Sequence, residues 1–245
     1  DPKSGIVTVE SGAIVGKLQQ TLYTHGRFLP SVSSSAEYST IGGAVANNDA
    51  GSSSYKYGPI REYVQGLRVV LANGELIRTG RLSKREFNKK LGLASFEGEI
   101  YRSLDKLIEE SSDSMNQISA LGERSNVGYD IADVKSKDGS FDLTPIFVGS
   151  QGTLGLITEI VLDTEAHSAQ SDLMVIMFGD RHQAWEAVTK INAIKDGPLS
   201  IDFIDKSLVS YVQSVNPNLL KSTVQNRTPD ITLFIEIERI VARAS

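Results

Sequence analysis

The sequence predicts an α+β fold, and three observations carry that prediction. Short segments alternate apolar and polar residues at period two, as in Ile6-Val7-Thr8-Val9-Glu10 and again at Ile231, Leu233, Ile235 and Ile237. Other segments repeat apolar residues at helical spacing, as at Ile14, Leu18 and Leu22, or at Phe96, Ile100, Leu104, Leu107 and Ile108. An Asn73-Gly74 pair between two strand-like runs marks a tight hairpin. At 245 residues, 40% hydrophobic and 22% charged, the chain can bury a real core and hold one large or two ordinary domains.

Taken in order, Asp1-Pro2-Lys3-Ser4-Gly5 is a turn that leads into the strand at Ile6–Glu10. Ser11-Gly12 then opens a helix from about Ile14 to His25. The stretch from Pro30 to Gly51 is poor in large apolar side chains and rich in Ser, Gly and Asn. Within it Thr40 suits an N-cap, with a short helix at Ile41-Gly42-Gly43-Ala44-Val45-Ala46. A helix N-terminus presents unpaired N–H groups and a partial positive charge, which suits a phosphate or pyrophosphate. Paired glycines there remove the Cβ atoms that would hold an anion away. The same composition also fits a surface loop that feeds a packed helix.

Val64–Leu71 and Glu75–Arg78 read as strands joined by Ala72-Asn73-Gly74. From Arg78 to Lys90 the chain is basic, with Arg78, Arg81, Lys84, Arg85, Lys89 and Lys90. Docking to a membrane surface or an acidic partner is one reading. The few apolar residues and the lack of an aromatic stripe favour a solvated insertion. Phe96–Ser111 is an amphipathic helix, and Phe147–Glu159 is a second Gly/Ser turn feeding the apolar strand Leu156–Leu162. After Thr164 come a buried strand at Leu173–Phe178, a helix through Trp185, Val188 and Ile191, and a strand at Leu199–Ile204. A helix at Ser207–Val215 and the strand at Ile231–Ile237 complete a βαβ-like unit.

Several function classes are disfavoured. A formal charge of −5 argues against general nucleic-acid binding, and the lack of cysteine removes disulfides, thiolate metal sites and a Cys nucleophile. His25, His167 and His182 are scattered, so neither a hydrolase triad nor a transition-metal site is indicated. Gly149-Ser150-Gln151-Gly152 is not a nucleophile elbow, and Gly-x-Gly-x-x-Gly and Walker signatures are missing. No apolar run is long enough for a membrane span, and the N-terminus lacks a signal-peptide layout, so the expected location is cytoplasmic, at most peripheral to a membrane.

The Ser-rich loop ending in Thr40-Ile41-Gly42-Gly43, then Lys56-Tyr57-Gly58, then Gly149-Ser150-Gln151-Gly152-Thr153-Leu154-Gly155 occur in an order that resembles the FAD-binding (PCMH-type) domain of the vanillyl-alcohol oxidase superfamily. The branch it is most similar to is the D-lactate dehydrogenase and glycolate oxidase flavoprotein group. The resemblance runs from about Ile6 to about Leu162, with Gln151 where Glu is more usual, and Ser125–Asp142 is similar to the family's connector. It implies a two-subdomain FAD-binding domain over residues 1–165, lacking the family's first Gly-rich loop, followed at 166–245 by part of a ferredoxin-like cap domain. Carried over by position, it implies that Ser34, Ser35, Ala36, Glu37, Tyr38, Ser39 and Thr40 form a flavin-contacting loop. Gly42 and Gly43 fall at the pyrophosphate, and Asn47, Asn48, Asp49 and Ala50 form the next contact. Gln151, Gly152, Thr153, Leu154, Gly155, Leu156 and Ile157 line the late turn. FAD held non-covalently is implied, because no Cys exists and no His lies in the matching loops.

The implied activity is oxidation of a small 2-hydroxy acid, such as D-lactate or glycolate, by hydride transfer to flavin, with a separate electron acceptor and no nucleic-acid partner. The catalytic residues are not named by the resemblance, since the cap half that would carry them has no counterpart here. Two alternatives stay open: a catalytically silent flavin-domain fragment, and a flavin oxidoreductase of the same fold acting on another alcohol, sugar or aldehyde.

Overall fold

Chain order places β1 (Ile6–Glu10), α1 (Val15–Thr24), β2 (Arg27–Phe28), α2 (Ile41–Asn47), α3 (Ser54–Tyr57), a 3-10 turn at Ile60–Tyr63, β3 (Val64–Val70) and β4 (Leu76–Arg78) in succession. There follow α4 (Lys84–Leu91), α5 (Phe96–Glu110), α6 (Ser112–Ala120), α7 (Thr144–Phe147), β5 (Leu156–Asp163) and β6 (Glu165–Ala166). The last elements are β7 (Ser171–Phe178), α8 (Arg181–Asn192), β8 (Ser200–Asp205), α9 (Lys206–Val215), α10 (Lys221–Val224) and β9 (Ile231–Glu238). The structure is a computed structural model that describes residues 1–120, 128–167, 170–195, 197–224 and 227–238; Ser125–Val127 of the expected connector lie outside them. Contacts divide the chain into one unit of Asp1–Ala50 with Pro59–Ala166 and a second of Gly51–Gly58 with His167–Ser245.

The first unit is built on an antiparallel sheet of order β1-β5-β3-β4. β5 lies inside, paired with β1 from Ile6↔Asp163 to Glu10↔Glu159 and with β3 on its other side. Its Ile160 and Leu162, both fully buried, meet Leu67 and Val69 of β3 and the buried Ile41, Ala44 and Val45 of α2 in one core. The β3–β4 hairpin forms as the Asn-Gly pair predicts, with Gly74 at φ 85° and the Asn73 side chain accepting from Glu75 N–H.

The basic segment differs from its expectation. It forms a regular helix, α4, opened by a reciprocal Ser83/Glu86 capping box, and α4 packs through Phe87. The Phe87 and Phe141 rings stack at 4.2 Å with planes 6° apart, and Tyr101 of α5 completes the cluster at 5.6 Å from Phe141. One aromatic anchor suffices because three rings from distant segments share the burial. Burial pushes the Tyr101 hydroxyl to a raised pKa. It also rotates α5 from its expected face: Tyr101 and Ile108 are buried, whereas Phe96 and Leu107 are exposed.

In the second unit β7 and β8 each pair antiparallel with β9, which lies between them. β7 and β8 are therefore parallel, joined through α8, in a split βαβ arrangement. Segment Gly51–Gly58, inside the first domain of the sequence reading, makes its contacts in this unit: Lys56 Nζ pairs with Glu238 at 2.7 Å and the Tyr55 hydroxyl donates to Asn192 Oδ1. β7, expected to be buried, is open over its first half, with Leu173 64% and Met174 47% exposed. A continuous apolar run records what a strand would gain by burial, not whether another layer covers it.

Candidate cofactor-binding site

Thr40 starts α2 as its sequence predicts: its backbone is extended (φ −86°, ψ 152°) and its hydroxyl accepts from Gly43 N–H at 3.2 Å. At the other end Asn48 turns left-handed (φ 51°) and donates its amide to Val45 O. The end of α2 receives the late turn. Gly149 N–H donates to Val45 O at 3.0 Å and Gln151 N–H to Ala46 O at 2.9 Å. Three left-handed residues, Gly149 (φ 80°), Gln151 (φ 52°) and Gly152 (φ 76°), make that turn tight enough to meet the helix end. Thr153 closes it through its amide and hydroxyl, both donating to Ser150 O.

The two bends thus share one groove of about 310 Å³. Ser11, Gly12, Thr40, Gly42, Gly43 and Ala46 form one wall; Ser150, Gly152, Gly155, Leu156 and Ile157 form the other. Of the residues expected from sequence, it gathers Thr40, Gly42, Gly43, Gly152, Gly155, Leu156 and Ile157. The rest lie outside its lining. Ser35 Oγ bonds Ser39 Oγ at 2.7 Å, while Ala36 O and Ser39 O accept the Gly16 and Val15 amides at the start of α1. Tyr38 projects outward, 86% exposed. Asp49 accepts the Ser33 hydroxyl at 3.2 Å. Asn48 is buried; its Oδ1 accepts from Arg61 N–H at 3.3 Å and its Nδ2 has no partner among the described residues.

The free helix-start amides inferred from sequence are occupied within the protein. Ile41 N–H donates to Ala13 O at 2.8 Å, Gly42 N–H to Ser11 O at 2.9 Å, and Gly43 N–H to Thr40. Gly42 is needed for packing: a Cβ there would stand 2.6 Å from Ser11 Cβ. Gly155 is the same case, at 2.7 Å from Val69 Cγ1. Gly12 and Gly152 differ. A Cβ at either would meet nothing within 4 Å, and among the described residues neither amide donates to a backbone carbonyl. Both line a groove whose lining contains no carboxylate. Bare backbone with open N–H groups and no competing negative charge fits an extended anionic cofactor. The volume sits at the low end of the roughly 300–1,000 Å³ of small-molecule sites, suiting one portion of a dinucleotide.

Sequence reasoning missed Ser11, Gly12, Ala46 and Ser150 as lining residues. The available signal was a Ser-Gly turn directly after a strand, but its use as a wall depends on β1 pairing with β5, which carries Gly152 and Gly155 just ahead of it.

Residues 1–80 match the family model described as an FAD binding domain. The chain is 28% identical over 214 residues to glycolate oxidase subunit GlcD of Bacillus subtilis, covering 87% of this chain and 34% of that one. It is 33% identical over 165 residues to D-2-hydroxyglutarate dehydrogenase of Escherichia coli, covering 66% of this chain and 16% of that one. Its fold is shared with alkyldihydroxyacetonephosphate synthase at TM-score 0.63 and 19% identity, over 97% of this chain and 35% of the other. The chain therefore spans about a third or less of these proteins. No helix among the described residues is long and apolar enough to cross a membrane.

Proposed function

We infer that this chain, which carries a stretch of the FAD binding domain family at residues 1–80, supplies part of the FAD-holding groove of a flavin-dependent 2-hydroxy-acid dehydrogenase or oxidase. The observation that carries the reading is the convergence of two bends, Thr40–Ala46 and Ser150–Ile157, on one cradle of small residues. FAD, when bound, accepts the hydride leaving the carbon that bears the substrate hydroxyl. The chain's own part is to hold and orient. The Gly12 and Gly152 amides receive the anionic portion, Thr40 and Gly43 border it, and Leu156 and Ile157 offer apolar surface beside it. Binding is non-covalent, since none of His25, His167 and His182 lines the groove. Glycolate and D-2-hydroxyglutarate indicate the substrate class by the names of the similar enzymes, and D-lactate joins them through the sequence resemblance; the location we assign is cytoplasmic.

A specific observation favours weak binding by these residues alone. Two amide bonds to a charged group contribute about 1.5–3 kcal/mol each. Their sum falls short of the roughly 8 kcal/mol of a micromolar complex. The binding test is therefore saturation-transfer NMR of FAD at millimolar concentration with the 245-residue protein. Contact signals from the cofactor are expected, and their absence at that concentration would sink the groove assignment. The substrate test is anaerobic mixing of the flavin-loaded full-length protein with glycolate, D-lactate and D-2-hydroxyglutarate. Bleaching of the flavin by one of them is the expected result. Bleaching only by a simple alcohol, sugar or aldehyde would move the reading to the other alternative.

A further inference from the structure

The second unit holds a larger cavity than the groove, about 540 Å³, between α8 and the sheet. Its walls are Ala184, Trp185 and Val188 of α8 and Ile201, Phe203 and Leu233 of the strands. Tyr55 presents its ring there, its hydroxyl already donating to Asn192. Trp185 and Phe203 are left 70% and 68% exposed beside this space, a large apolar area held open to water. Side chains that can carry charge are confined to Arg181 and His182, at the first turn of α8, and no carboxylate lines the cavity. The carboxylates nearby are otherwise engaged: Asp180 caps the helix by accepting His182 N–H at 3.0 Å, and Glu186 faces the His182 ring at 3.5 Å. Arg181 is paired with no carboxylate among the described residues.

We propose that this cavity is a binding site for an amphipathic monocarboxylate, its apolar tail against Trp185, Phe203 and Val188 and its carboxylate on Arg181. The volume lies within the range of small-molecule sites, and the few polar groups at one end fix the orientation of the ligand. A tail of roughly ten carbons, at about the volume of a liquid water each, would fill more than half of it. A two- or three-carbon hydroxy acid would leave it mostly empty, so this ligand class is distinct from the substrates proposed above. The helix N-terminus adds its partial positive charge to the Arg181 head site.

Trp185 is the chain's single tryptophan, so its emission reports on this cavity directly. The probe is sodium decanoate below its micelle concentration, compared with decanol and decylamine. Decanoate is expected to give a saturable blue shift and to bind at least fivefold more tightly than decylamine. Arg181→Gln is expected to weaken decanoate about fivefold, the scale of a rim ion pair, while leaving decanol unchanged. Val188→Phe, which fills the cavity from its α8 wall, is expected to abolish both responses, with circular dichroism as the check on folding. The proposal is overturned if decanoate gives no saturable shift, or if the three amphiphiles bind alike. It is also overturned if the emission follows protein concentration with sedimentation showing a dimer, for then a second copy covers the face. None of these measurements involves flavin, so their failure is separable from failure of the cofactor reading.

Discussion

Gly12→Leu separates the proposed cofactor groove from the packing around it. Gly12 lies outside the left-handed backbone region, and an added Cβ meets nothing within 4 Å, so the protein itself has no steric objection to a side chain. Loss of glycine from the unfolded chain favours folding by about 0.4–1 kcal/mol where the backbone is compatible, so stability should hold or rise slightly. The groove, however, is only about 310 Å³. Four carbons at roughly 30 Å³ each would occupy more than a third of it. They would also screen the Gly12 amide, whose bond to a charged group is worth about 1.5–3 kcal/mol, a loss of ten- to hundredfold in affinity. The assay is equilibrium dialysis or saturation-transfer NMR with FAD, run beside urea denaturation. If the variant kept FAD affinity within a factor of two of the parent, the cofactor would not lie where we place it. Gly42→Ala is the internal contrast, because its methyl would stand 2.6 Å from Ser11 Cβ and 3.0 Å from Ser11 O; it should lose about 1–3 kcal/mol of stability by overpacking.

Three further outcomes follow from the same structure. Asn48→Ala should cost about 1–3 kcal/mol, through a left-handed backbone without glycine and a lost acceptor for Arg61 N–H, and Asn48→Gly should cost less because it removes only the second part; urea midpoints order the two. Phe87→Ala should destabilise the first unit by about 3–5 kcal/mol, since it empties a ring stacked on Phe141, and thermal unfolding reads the loss. The Ser83 hydroxyl and amide hold Glu86 below the ordinary 4.5, so the capping contribution is present above that value and fades as acid protonates the carboxylate; in Glu86→Gln the acid-dependent fraying of α4, followed by amide exchange, should disappear.

What the sequence disclosed and what it concealed divide along the range of the interactions. Thr40 as a cap and Asn73-Gly74 as a hairpin depend on atoms within three residues, and both formed where expected. β5 was legible because Leu156, Ile157, Ile160, Val161 and Leu162 make an apolar run directly after a Gly/Ser turn. The role of Gly12 was not, since it arises only when Glu10↔Glu159 pairing brings the first turn beside the last one. The packing of α4 was half legible: Ser83-x-x-Glu86 is a readable start signal, but Phe87 gains its value from Phe141 and Tyr101, far along the chain. At the Ser-rich loop, composition spoke of ligand contact, while Ala36 O and Ser39 O are used to seat α1.

The central placement of β5 has a consequence for synthesis on the ribosome. β1 is translated before β3 and β4, yet its sheet neighbour among the described residues is made of residues 156–163, so the strand waits while all the chain between them is made. During that interval β1 and β3 carry unsatisfied backbone edges, the kind of surface that recruits chaperones or neighbouring nascent chains. A stop codon anywhere before Asp163 would leave that vulnerability permanent, and such truncated products should be found in the insoluble fraction.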